Sequence, residues 1–94
     1  MKKRRFVSIW DAIEPSAPKA ANMKARAEMM TAIRDTVAAW KITQTVAAKN
    51  LGLTQPRMND LLRGRIDKFS LDALMNLAMR AGLAVRLEVI RPAA

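Results

Sequence analysis

The sequence has no cysteine, no histidine and no tyrosine, and its aromatic residues are two phenylalanines and two tryptophans. Without cysteine there are no disulfides and no thiolate nucleophile, and without histidine the imidazole bases and the usual zinc ligands are missing. The lack of disulfides fits a reducing compartment, and the cytoplasm is the expected location. Acidic residues are few, eight against seventeen Lys and Arg, and they are scattered with no close pair suited to acid–base work. Neither an enzyme nor a bound cofactor or metal is therefore expected. No apolar run is long enough to span a membrane. The run at 6–10 stops at Asp11 and is followed by Glu14 and Pro15, which is not the pattern of a signal peptide.

What is present is 94 residues with a net charge of +9. That length makes one domain with a small core, marginal alone, so oligomerisation is a natural expectation. The charge is unevenly placed. Residues 1–10 carry Lys2, Lys3, Arg4 and Arg5 with no acid, and residues 41–70 carry six bases against Asp60 and Asp67. Residues 11–40 balance to zero and residues 71–94 add one positive charge. Such a distribution, concentrated on a tail and one central segment, is an electrostatic footprint suited to a polyanion.

The central segment is the most informative. Thr43 is a good N-cap for a helix running to about Asn50, and Leu51-Gly52-Leu53 supplies a glycine where a turn needs positive φ. Thr54 caps a second helix with Pro56 in its first turn, Leu53 and Met58 stand at the spacing of a hydrophobic staple, and Gly64 ends it. Ala47 and Ala48 allow close helix approach, while Leu51, Leu53, Met58, Leu61 and Leu62 supply apolar contacts. Two short helices at this spacing form a helix-turn-helix, whose second helix enters the major groove of DNA. The positions left free to face a ligand are Gln55, Arg57, Asn59 and Arg63, with Arg65 and Lys68 just beyond. Arg can present a fork to guanine, Gln or Asn can do the same for adenine, and Lys and Arg neutralise phosphates. Gln44 and the Thr54 hydroxyl are placed to meet phosphate near helix N-termini. Asp60 is expected to repel phosphate or orient a neighbour.

On these residues, together with 20–24, 61–65 and Phe69-Ser70-Leu71-Asp72-Ala73-Leu74, the chain resembles the short XRE-type helix-turn-helix regulators that include HigA-like antitoxins. The likeness covers about residues 8–90 and implies a lambda-repressor-like domain in a dimeric transcriptional regulator. Such regulators often autoregulate an operon that also encodes a RelE/HigB-type ribonuclease toxin, which they bind and neutralise. Carried over by position, the DNA-reading helix falls on 54–63 and its first backbone contact on Gln44. One departure is the absence of the acidic segment with which many antitoxins wrap basic toxins.

Outside the central segment, 15–18 is expected to break any helix and link a short leading element at 7–13 to the body of the domain. A helix from about Ala21 carries Met23, Met30, Ile33, Val37 and Trp40 along one stripe, most simply core. The methionines could instead form an adaptable partner surface. Trp10 is a candidate partner anchor, and the basic tail is either a solvated end or an arm along the DNA backbone or minor groove. Ser70 caps a further helix, with Phe69 and Leu74 at staple spacing, that runs through Leu71, Met75 and Ala78 to Gly82. Leu83, Val85, Leu87 and Val89 then alternate with Ala84, Arg86 and Glu88, the pattern of a strand with one buried face. A lone strand needs a partner. The candidates are the same strand in a second copy, the weak strand at 5–9, or the edge of a toxin's sheet.

The expected architecture is all-α, about five helices with a C-terminal β-strand, divided into a tail and linker at 1–20, a DNA-binding body at 21–82 and a dimerisation strand and tail at 83–94. The expected partners are an inverted-repeat operator in double-stranded DNA, a second copy of the chain and a RelE/HigB-like toxin. Two alternatives stand beside the antitoxin: a free-standing repressor, and a protein-interaction module whose basic head binds an acidic partner.

Overall fold

The computed structural model describes residues 17–92. Within them lie four α-helices, α1 (Ala17–Trp40), α2 (Gln44–Leu51), α3 (Gln55–Leu62) and α4 (Leu71–Arg80), with a 3-10 turn at Ile66–Lys68 between the last two. The element expected at 7–13, which made up the count of five helices, lies outside the described residues. So do the basic tail, Trp10 and the strand alternative at 5–9.

α1 begins earlier than the prolines suggest. Pro18 stands in its first turn, where a missing N–H costs nothing, so the helix extends into the segment expected to be a linker. At about 1.5 Å per residue it spans roughly 36 Å and forms the backbone against which α4, α3 and the 3-10 turn pack. Met30, Ile33 and Val37 are buried as the stripe predicts. Trp40 packs half-buried on the core, whereas Met23 is 40% exposed. The remainder of the core comes from Ala47, Ala48 and Leu51 of α2, Met58 and Leu61 of α3, Phe69, Leu74, Leu77 and Ala78 of the last helical region, and Ala81. α4 buries Leu74, Leu77 and Ala78 and leaves Met75 and Met79 exposed.

The three caps read from sequence are made. Thr43 accepts from the Val46 N–H at 3.2 Å, Thr54 from the Arg57 N–H at 3.4 Å and Ser70 from the Ala73 N–H at 3.1 Å. The three glycines close the same three helices. Gly52, Gly64 and Gly82 have φ of 71°, 73° and 85°, and the amide following each reaches back to the final turn: Leu53 to Ala48 O, Arg65 to Asp60 O and Leu83 to Ala78 O. Paired 5→2 and 6→1 bonds of this kind satisfy carbonyls that a helix end otherwise leaves without partners. Every glycine in the chain is thus used to stop a helix.

The strand expected at 83–89 is not formed; residues 83–92 have no regular secondary structure, and no strand exists among the described residues. The physical reason is the one that made the segment conspicuous: its N–H and C=O groups need a second strand, and the described part of a single chain contains none. Leu83 is also reassigned. Its amide closes α4 and its side chain packs against the core, while Val85, Leu87 and Val89 stay exposed.

Candidate nucleic-acid interface

The helix-turn-helix consists of α2 and α3. Gly52 turns the chain between them, and Leu53, partly buried on the core, fixes the entry to α3. Met58 and Leu61 are buried to 0% exposure, which leaves the opposite face of α3 to solvent. Gln55, Asn59 and Arg63 occupy that face, Arg65 and Lys68 follow it, and Gln44 and Thr54 stand at the two helix starts, all exposed. Asp60 is half-buried on the side of the helix. The first turns of α2 and α3 contain no acidic residue, so nothing there offsets the positive ends of their dipoles.

A side-chain bond joins the two helix starts. The Gln55 amide nitrogen donates to the Thr45 hydroxyl at 3.0 Å, which orients the first side chain of α3 and leaves its carbonyl oxygen and second N–H for a ligand. Thr54 accepts from the Arg57 amide, so its hydroxyl still has a proton to donate to phosphate. Nothing in the sequence singles out Thr45, because its role depends on a neighbour ten residues away.

Arg57 is placed differently from its neighbours. It is half-buried, its guanidinium lies 4.1 Å from the centroid of the Phe69 ring, and one terminal nitrogen donates to Lys68 O at 2.7 Å. A charge-assisted bond of this length contributes about 1.5–3 kcal/mol at most, less where water reaches it, and the stacking adds about 0.5–1 kcal/mol. A bidentate contact to guanine discriminates by about 1–3 kcal/mol. To make one, Arg57 would give up as much as it gained. Arg26 of α1 reaches the same turn, donating to Ile66 O at 2.8 Å and to Phe69 O at 3.3 Å. Forty residues separate Arg26 from Ile66, which is why no local pattern reveals it.

The arrangement is therefore a two-helix head with an exposed polar face, backed by an apolar core and continued into a basic turn. A helix-turn-helix domain family model matches residues 13–90. The chain belongs to that family. The match covers the helix-turn-helix domain together with α1, α4 and most of the segment that follows, so all four helices are parts of one family unit, and it supports a DNA-binding regulator. A comparison with curated proteins found no match. No helix among the described residues is long and apolar enough to cross a membrane.

Proposed function

We propose that this helix-turn-helix protein is a sequence-specific transcriptional repressor that binds an inverted-repeat operator as a homodimer. The observation that carries the reading is the face of α3. Gln55, Asn59 and Arg63 are exposed opposite the buried Met58 and Leu61, so the helix is held by its apolar side and offers groups that read base edges in the major groove. Arg65 and Lys68 grip phosphate beyond it, and Gln44 and Thr54 meet phosphate at the helix starts. The mechanism is steric, an occupied operator excluding polymerase. No catalytic step or cofactor enters it.

The dimer is proposed to form through 83–89. Val85, Leu87 and Val89 are exposed and alternate with polar residues. Pairing with the same segment of a second copy would satisfy its backbone and place two reading helices about one turn of DNA apart. The resemblance to HigA-like proteins extends the proposal to an antitoxin that neutralises a RelE/HigB-type ribonuclease. Copurification with the product of an adjacent gene separates that role from a free-standing repressor.

The test is selection of binding sites from random duplex DNA by the full chain. Recovered sites are expected to converge on an inverted repeat with half-sites about 10 base pairs apart. Failure to converge would refute the proposal and leave the interaction-module alternative.

A further inference from the structure

We propose that Arg57 is a positioning residue, which together with Arg26 locks the turn at 65–69 in fixed register with the reading helix, so that Arg65 and Lys68 are presented to the DNA backbone. The inference rests on the DNA-binding reading above and adds the device that joins its two halves. Three carbonyls of the turn are held by two guanidinium groups from two different helices: Lys68 O by Arg57 in the first turn of α3, and Ile66 O and Phe69 O by Arg26 in α1. Phe69 is 2% exposed and Arg57 covers its ring, so the arginine's plane is fixed by the residue that also anchors the turn to the core. The turn's own bonds are local, Ile66 N to Gly64 O at 3.0 Å, Lys68 N to Arg65 O at 3.1 Å and Phe69 N to Ile66 O at 3.4 Å, and its first residue is tied to α3 by Arg65 N to Asp60 O at 3.1 Å, so the part that depends on the guanidinium groups is 66–69. Arg65 and Lys68 are both exposed. Their cationic ends bind phosphate from a defined position only if the backbone beneath them is held, and a planar guanidinium can lie over the Phe69 ring while one terminal nitrogen donates to Lys68 O, which a lysine ammonium does not reproduce.

Two experiments on the full chain decide the matter. In the free protein, Arg57→Gln is expected to speed amide hydrogen exchange at Lys68 and Phe69 while exchange in α4 at Leu74–Ala78 stays unchanged. Unchanged exchange at 68 and 69 would overturn the clamp without any reference to DNA. On DNA, affinities for the selected operator and a scrambled duplex are measured across a salt series. Arg57→Gln should weaken both by about the same factor, roughly tenfold, and leave the base preference at every operator position intact. It should also lower the magnitude of the salt slope by about 2 per protomer, because Arg65 and Lys68 would each cease to neutralise a phosphate. Arg57→Lys, which keeps the charge, should fail to restore either. In an Arg65→Ala/Lys68→Ala background, Arg57→Gln should cost less than about twofold more, because its effect passes through those residues. Preference lost at a single base pair would make Arg57 a base reader. A full effect persisting in the double-variant background, or rescue by lysine, would make it a direct phosphate ligand. Either overturns the proposal. A wild-type protein with no preference for any duplex would refute the DNA-binding reading itself, with the exchange result still deciding whether the clamp exists.

Discussion

Replacing Leu61 by alanine tests whether α3 is held by its apolar side. Leu61 is completely buried and belongs to the cluster that joins α3 to α1, α2 and α4. Removing three carbons there forfeits their transfer energy and leaves a cavity at a fully enclosed position of the core, so the loss should be about 3–5 kcal/mol. A chain of 94 residues is expected to have only about 5–14 kcal/mol of stability in all, at about 0.05–0.15 kcal/mol per residue. With a urea m-value of about 1 kcal/mol/M for so small a domain, the unfolding midpoint should fall by about 3 M or more. The assay is circular dichroism of the helical signal against urea, at fixed protein concentration because dimerisation would couple to folding. Leu62→Ala is the internal control. Leu62 is only partly buried and its loss should be less than half as large. A shift for Leu61→Ala below about 0.5 M with an unchanged m-value would show that Leu61 is not enclosed, and the orientation of α3 would fall with it.

Three other outcomes follow from the same geometry. Gly52→Ala places a Cβ at φ 71° and 3.0 Å from the flexible guanidinium of Arg80; the arginine can move but the backbone cannot, so calorimetry should show a loss of about 1–2 kcal/mol, or about 5–10 °C in Tm. Ser70→Ala removes the cap bond to Ala73 N–H and should lower stability by about 1 kcal/mol, measured by urea unfolding; no change would mean that water caps α4 equally well. Asn59→Ala removes an exposed amide from the centre of the reading face, and repeated site selection should show relaxed preference at one position of each half-site, at a cost of about 1–3 kcal/mol on the operator; equal weakening on all sequences would place Asn59 on phosphate.

Local chemistry made most of the head legible. The caps at Thr43, Thr54 and Ser70, the closing glycines and the buried faces of α2 and α3 are all set by residues within a turn or two of one another, and sequence spacing reports such contacts. The exposure of Met23 is not legible, since its spacing from Met30 places it on the stripe without specifying what covers it. Pro18 looked like a break because a proline signals the start of a helix and an interruption alike. The alternation at 83–89 is real, but alternation specifies a face and not the neighbour that would cover it. Arg57 shows the limit most clearly. Its type and position suit a base reader, and only the placement of Phe69 and Lys68 O beside it shows where its guanidinium is held.

If α3 reads sequence, DNA binding by this protein is more than the adhesion of a charge of +9 to a polyanion. The two are separated by the ratio of affinities for the selected operator and a scrambled duplex of equal length, measured with the full chain from low to physiological salt. A reading helix gives a ratio of about a thousandfold or more at physiological salt, growing relative to total affinity as the shared phosphate attraction is screened. A ratio near one at every salt concentration, with both affinities falling steeply together, would mean that charge alone binds DNA and that α3 reads nothing.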